Sequence, residues 1–247
     1  MNDLQKFFEA NTGRLIHKWM HYFEVYDRHF ARFRGTDVHV LEFGVSQGGS
    51  LDMWKHYFGP RCRIYGVDIN PHCKALENED VTIFIGDQED RAFLKSIARQ
   101  VPRIDILIDD GGHTMGQQIA TFEELFARIA PDGVYLCEDL HTSYWRKWGG
   151  GYRRRNTFIE YAKGFIDRIH AWHSHSPALK VDDFTRSAQS LHWYDSILVI
   201  EKRPVGEPTH RRTGEATVPD YESPGKQAAD RFKSRLRRAI GMKDRGR

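Results

Sequence analysis

The chain has 247 residues, 40% of them apolar and 29% charged, the composition of a folded, water-soluble protein with a sizeable core. No run approaches the roughly 18 apolar residues of a membrane helix. The start, Met1-Asn-Asp-Leu-Gln-Lys6, lacks the basic and apolar stretches of a secretory signal, so a cytoplasmic location is expected. The net charge of +3 hides an asymmetry: from Arg203 onward twelve Lys and Arg face six Asp and Glu, which leaves 25 against 28 before it. The body is therefore slightly acidic, and the overall basicity says nothing about its ligand. Cys62, Cys73 and Cys137 have neither metal-ligand spacing nor the even count of a disulfide framework.

Residues 1–35 read as helical and crowded with aromatics, among them Phe7, Phe8, Trp19, Tyr22, Phe23, Tyr26, Phe30 and Phe33. Asn11-Thr-Gly13 is expected to break this segment in two and Arg34-Gly-Thr36 to end it. A stripe of this kind packs against a core, or less often walls a ligand. We expect residues 1–36 to cap the domain that follows at 37–203.

That domain alternates short apolar runs with amphipathic ones. Strands are expected at Val38–Phe43, Arg63–Val67, Val81–Ile85, Ile104–Ile108 and Gly133–Cys137. Helices are expected over 48–57, 71–77, 89–100, 114–129 and 157–172. This alternation predicts an α/β fold with a parallel sheet and helices on both faces. Ala188–Trp193 and Ser196–Lys202, joined by Tyr194-Asp195, then add an antiparallel hairpin and bring the sheet to seven strands. From 204 to 225 the chain is rich in Pro, Gly, Thr and charge and reads as a linker. Residues 226–240 could form a basic amphipathic helix, with Ala228, Phe232, Leu236 and Ile240 four apart. A solvated tail or an oligomer contact is the favoured role for it, ahead of a membrane or nucleic-acid contact.

The chemistry sits where strands end. Leu41-Glu-Phe-Gly-Val-Ser-Gln-Gly-Gly-Ser50 follows the first strand, and its glycines permit a sharp turn and close backbone approach to a ligand. It lacks the Gly-Lys-Ser/Thr of a phosphate loop. Glu42 would repel a pyrophosphate but suits an ammonium or sulfonium charge. Asp68, in Gly66-Val-Asp-Ile-Asn-Pro71, is placed to accept two ribose hydroxyls. Asp87 and Gln88 end the third strand, where either can take an adenine amino group. The fourth strand ends in Asp109-Asp-Gly-Gly-His113 and the fifth in Glu138-Asp-Leu-His141. Two buried strands ending in acids can aim several carboxylates at one point, which is the arrangement of a hard-metal site with a proton acceptor beside it.

The order E-x-G-x-x-x-G-G-S, G-V-D-I-N, G-D-Q and the Asp-rich fourth strand resembles class I S-adenosylmethionine-dependent methyltransferases, whose Rossmann-like sheet also ends in a hairpin. Ile108-Asp-Asp-Gly-Gly-His113, Glu138-Asp-Leu-His-Thr-Ser-Tyr-Trp145, Gly149-Gly-Gly151 and Leu191-His-Trp-Tyr-Asp-Ser-Ile-Leu-Val-Ile-Glu-Lys202 are similar to the macrolide-sugar O-methyltransferases of the mycinamicin and tylosin type. The match covers roughly residues 38–202, and Gly112 stands where that family more often has Ser.

This resemblance implies two cofactors, S-adenosylmethionine and Mg2+. The methyl donor would be held by Glu42, Gly44, Val45, Ser50, Asp68, Ile69, Asp87, Gln88 and Asp109. The metal would be held by Asp110, Glu138 and Asp139. His113 is then the candidate general base, since a neutral imidazole with an ordinary pKa near 6.5 accepts a proton at neutral pH. His141, Tyr144 and Trp145 are expected to face a sugar, on a loop whose glycines permit closure. The implied activity is methyl transfer to a hydroxyl of a sugar or glycosylated natural product. Another small-molecule hydroxyl, a hydroxylase-type role and a catalytically idle cofactor-binding protein are the alternatives. Self-association is a further expectation, and nucleic acid is not an expected partner.

Overall fold

In the computed structural model the described residues are 1–218, 225, 228, 230–233 and 235. Residues 1–207 form one compact unit and residues 208–247 a second. In the second unit Ala228 and Phe232 lie in helical segments, whereas Leu236 and Ile240, which would complete the expected apolar stripe, lie outside the described residues. No helix among the described residues is long and apolar enough to cross a membrane.

The first unit is built on seven strands: β1 His39–Phe43, β2 Arg63–Asp68, β3 Val81–Ile85, β4 Ile104–Asp109, β5 Ile129–Cys137, β6 Ala188–Tyr194 and β7 Ile197–Lys202. Their order is β3-β2-β1-β4-β5-β7-β6, with the first five parallel and β7 antiparallel to both β5 and β6. The mixed sheet and its terminal hairpin are as the sequence predicts. β4 is buried at every position, which explains why it reads as a continuous apolar run instead of an alternating one. The chain order reverses between β1 and β4. A crevice opens at the carboxyl ends of strands at such a switch point.

Seven helices surround the sheet in the first unit: α1 Asp3–Glu9, α2 Tyr22–Phe30, α3 Gly49–Phe58, α4 Arg91–Gln100, α5 Met115–Leu125, α6 Phe158–Ile169 and α7 Asp183–Ser187. Five of them, all but α2 and α3, start on a side chain that accepts an otherwise unpaired backbone N–H group. Asp90 caps α4, Thr157 caps α6, and Thr114 with Gln117 forms a capping box on α5. The core lies in two layers. α1, α2 and α3 pack Tyr26, Phe30, Trp54 and Phe58 on one face of the sheet, and α4, α5 and α6 pack Leu94, Phe122, Leu125 and Phe165 on the other.

Three sequence expectations change. The helix expected over 114–129 ends at Leu125, and β5 begins at Ile129, well before Gly133. Residues 71–76 form a 3-10 turn. The largest change is at the N-terminus, where the break at Asn11-Thr-Gly13 extends to residue 21. Between α1 and α2 the chain runs as an irregular strap, so the helical reading of residues 14–21 is wrong. Gly13 and the Asn11 side chain, which accepts from Gly13 N and donates to Arg14 O, hold it in a non-helical turn.

Candidate active site

Strand pairing places the site residues. Phe43 of β1 and Cys137 of β5 both pair with Asp109 of β4. The ladder continues one step further, with Asp110 N donating to Phe43 O (3.2 Å) and Glu138 N to Asp109 O (2.9 Å). Asp110 and Glu138 therefore leave the sheet side by side. Gly44 must be glycine: its φ is +86°, and a Cβ there would lie 1.9 Å from Asp110 O.

Beyond these ends lies a cavity of about 480 Å3, within the range of small-molecule sites. Its walls include Gly44, Val45, Ser46, Ser50, Asp68, Ile69, Gly86, Gln88, Asp110, His113 and Asp139. Ser46, His113 and Asp139 all have positive φ, at 50°, 58° and 55°. Such conformations are costly outside glycine and collect where a site requires a particular backbone.

Six of the nine residues assigned to the methyl donor from sequence line this cavity: Gly44, Val45, Ser50, Asp68, Ile69 and Gln88. Three stand off the wall. Glu42 is fully buried and accepts from Ser50 Oγ and Trp54 Nε1, both at 3.0 Å. Burial lifts its carboxyl to about 7, against the opposing charge of Lys18. Asp87 is exposed and accepts from Glu89 N. Asp109 is fully buried and accepts from Gln88 Nε2 at 2.6 Å, and burial raises it to about 7. Gln88 Oε1 in turn accepts from Gly112 N at 3.0 Å, so Gln88 ties β3 to the Asp-Asp-Gly-Gly-His turn.

At the far end of the cavity, ligand atoms of Asp110, His113 and Asp139 lie within 4.8 Å of one another. His113 Nε2 is 3.5 Å from Asp139 Oδ2 and 4.0 Å from Asp110 Oδ1. Glu138 is behind them, 1% exposed. Its Oε2 accepts from Lys18 Nζ at 2.9 Å, and the same ammonium donates to Asp110 Oδ2. One cation thus already bridges two of the three expected metal acids, which shows that their oxygens converge. Burial, and then the charge of its neighbour, pushes Glu138 up; burial also raises Asp110. Burial opposes the Lys18 charge, but Asp110, Glu138 and Glu42 outweigh it, and the ammonium is held above its ordinary value. A single positive charge faces several crowded carboxylates. The cluster itself is two carboxylates and one imidazole, with Glu138 outside it and joined to Asp110 through Lys18. A donor set in which carboxylate oxygens predominate fits a hard divalent ion.

Tyr22 Oη donates to Asp139 Oδ1 and Tyr26 Oη to Glu138 Oε1, both at 2.7 Å. The sequence pattern assigns neither these tyrosines nor Lys18 to the site. The available signal was the four-residue spacing of Tyr22 and Tyr26, which puts both hydroxyls on one face of a helix. Both rings are also core, as the aromatic stripe predicts.

The loop after β5 folds into two 3-10 turns, Leu140–Tyr144 and Arg146–Trp148. His141 Nδ1 is 2.6 Å from Ser196 Oγ, and its ring contacts Trp145 and Trp19. Tyr144 and Trp145 are about half exposed. His141 and Tyr144 line a second cavity, beside Trp193, Asp195 and Ser196, and not the one above. Gly150 allows the chain to fold back on the loop: its Cβ would lie 2.3 Å from Thr142 O.

The strand order, the glycine turn after β1 and the acid-tipped strands define the fold of a class I S-adenosylmethionine-dependent methyltransferase. No family model matches the sequence. Within this fold the chain resembles the macrolide-sugar O-methyltransferases. It is 38% identical over 193 residues, 74% of this chain, to the 8-demethyl-8-alpha-L-rhamnosyl tetracenomycin-C 2'-O-methyltransferase of Streptomyces olivaceus, of which it covers 50%. It is also 38% identical to the mycinamicin VI 2''-O-methyltransferase of Micromonospora griseorubida, over 74% of this chain and 49% of that one. Among solved structures it is similar to the MycE methyltransferase of the mycinamycin biosynthetic pathway in complex with Mg and SAH. That match has a TM-score of 0.74 at 32% identity and covers 92% of this chain and 59% of that one. The chain spans about half the length of the curated relatives it matches.

Proposed function

We propose that this chain is a Mg2+-dependent O-methyltransferase that moves a methyl group from S-adenosylmethionine to a hydroxyl of a sugar on a glycosylated natural product. The observation that carries the reading is the convergence of Asp110, His113 and Asp139 at the end of a cavity lined by the strand ends. The named relatives, which are sugar O-methyltransferases, support the acceptor class.

In this reading Gly44, Val45, Ser46, Asp68, Ile69 and Gln88 bind the methyl donor along the cavity wall. Glu42 and Asp109 act from behind it by holding Ser50, Trp54 and Gln88. Asp110, Glu138 and Asp139 hold the metal, which when bound supplies a Lewis acid that lowers the pKa of an acceptor hydroxyl. Tyr22 and Tyr26 orient two of these acids by hydrogen bonds. His113 takes the hydroxyl proton as the methyl carbon leaves the sulfonium sulfur and bonds to the hydroxyl oxygen. His113 Nε2 is 3.5 Å from Asp139 Oδ2 and 4.0 Å from Asp110 Oδ1, which keeps the imidazole beside the metal acids. His141 and Tyr144, which line the second cavity, and Trp145, packed on His141, face the sugar. A glycosylated small molecule is the proposed partner, and the reading carries a cytoplasmic location, where S-adenosylmethionine is available.

Calorimetric titration with S-adenosylmethionine, with and without Mg2+, followed by mass spectrometry of hydroxylated glycosides after incubation with both, tests the proposal. A mass gain of one methyl group on a glycoside is the expected result. Failure to bind either cofactor would sink it, and binding without transfer to any hydroxylated acceptor would reduce the chain to a binding protein.

A further inference from the structure

The strap between α1 and α2 joins two parts of the site. Leu15, Ile16, His17 and Lys18 line the cofactor cavity, and the backbone of residues 14 and 15 passes so close to α3 that a Cβ on Gly49 would lie within 2.6 Å of both carbonyls. The strap has no regular structure; Ile16 packs partly buried against the core and the Trp19 ring meets His141. Arg14 pairs with Asp52 at 3.4 Å, a half-exposed contact worth little. Leu15 and Trp19 remain exposed. Lys18 is the exception: its side chain is 3% exposed and its ammonium bridges Asp110 and Glu138.

A lysine so placed is rarely buried without a reason, because removing an ammonium from water costs several kcal/mol unless strong partners replace the water. Here those partners are two of the three acids assigned to the metal, and the contacting oxygens are Asp110 Oδ2 and Glu138 Oε2. An ammonium within hydrogen-bonding distance of both oxygens stands where a cation held by the pair would stand. The two cannot be accommodated together without steric overlap and like-charge repulsion.

We propose that Lys18 is a tethered competitor of the divalent ion: metal binding at Asp110 and Glu138 displaces the ammonium and releases the strap from the acids. The inference rests on the metal reading above. It makes Lys18 a residue that sets metal affinity and couples it to the cover of the cofactor cavity. With Lys18 engaged, the metal-competent fraction of the protein is small, and the apparent dissociation constant is raised by the inverse of that fraction. Removing the ammonium removes this penalty.

The test uses the full chain and Mn2+, titrated by electron paramagnetic resonance and by calorimetry. Lys18→Met is expected to bind Mn2+ at least tenfold more tightly than wild type, and Lys18→Arg, which keeps a competing cation, to stay near wild type. Lys18→Gln serves in place of Lys18→Met if circular dichroism shows that variant unfolded. A second readout separates displacement from a change in field: Mg2+ should speed tryptic cleavage after Lys18, mapped by mass spectrometry against cleavage after the already exposed Arg14. Equal or weaker Mn2+ binding by the neutral variants, or cleavage after Lys18 that ignores Mg2+, overturns the inference while leaving the metal reading intact. If neither wild type nor the neutral variants bind Mn2+, the metal reading falls and the inference with it.

Discussion

Gln88 Nε2 donates to Asp109 Oδ1 at 2.6 Å, deep beneath the cavity and between the ends of two strands that are not neighbours in the sheet. The same amide donates to Thr121 Oγ1 and accepts from Gly112 N. Gln88 thus fixes the turn that carries Asp110 and His113 while also lining the cavity. Gly111 permits this closeness, since a Cβ there would lie 2.0 Å from Gln88 Oε1. Gln88→Ala leaves a buried carboxylate and a backbone N–H without these partners. We expect a loss of about 2–4 kcal/mol in stability, measured by urea denaturation, with weaker S-adenosylmethionine binding. A Gln88→Ala protein as stable as wild type would show that the contact does not hold the turn.

Gly44 tests the cavity more sharply. Its positive φ disfavours any side chain, and the added methyl of Gly44→Ala would press on the Asp110 carbonyl. The strain alone is about 1–3 kcal/mol. Relief requires the β4 end to move, which shifts Asp110 away from Asp139. The expected outcome is a folded protein with reduced melting temperature and S-adenosylmethionine affinity reduced at least tenfold, both measurable without an acceptor substrate.

His113→Ala should separate binding from chemistry. The imidazole contacts the acids and not the strand-end residues on which the methyl donor is proposed to lie. Cofactor affinity is therefore expected to remain near wild type while kcat falls by about 10²–10⁴, the usual contribution of a positioned general base. A wild-type kcat in steady-state assays would remove His113 from that role.

Removal of the divalent ion should be visible in stability as well as in turnover. A chelator is expected to abolish methyl transfer and Mg2+ to restore it. At a hundred times its apparent dissociation constant, Mg2+ should stabilise the fold by about 2.7 kcal/mol. For a domain of this size that corresponds to a rise in melting temperature of about 5–10 °C. Asp139→Asn should lose most of the rise. Thermal melts that ignore Mg2+ in wild type would argue that the carboxylates have another purpose.

The sheet was readable because each buried strand ends on a polarity change: Ile108 to Asp109, Cys137 to Glu138, Val67 to Asp68. The same changes marked the site, since strand ends in a parallel sheet share one edge. What distinguished wall from support was less legible. Glu42, Asp87 and Asp109 have the residue types of ligand contacts, yet their side-chain directions depend on Trp54, on the Glu89 backbone N–H and on Gln88, none of which spacing reveals. Lys18 was invisible for a different reason. It is separated from Asp110 and Glu138 by about ninety residues or more and lies in a strap with no periodicity, so only the folded chain brings them together.

Lys202, at the end of β7, offers a test away from the active site. Its side chain is only 4% exposed, and its ammonium donates to the carbonyls of Phe126 and Ile129 at 3.0 and 2.6 Å. Burial lowers its pKa from 10.5 to about 8. Between these two values the unfolded chain holds a proton that the folded chain does not, so stability attributable to Lys202 rises as pH goes from about 8 to 10.5. Below about pH 8 the cost of burying the charge is present in full, up to about 3 kcal/mol for a shift of this size. Lys202→Met deletes the titration together with the two hydrogen bonds. The hydrogen bonds shift the level and the titration shifts the slope, so the two effects separate. Urea denaturation of both proteins at pH 7.5, 9 and 10 should show wild type gaining on Lys202→Met as pH rises. A constant difference across that range would mean that the ammonium is as well solvated by its two carbonyls as it is in water.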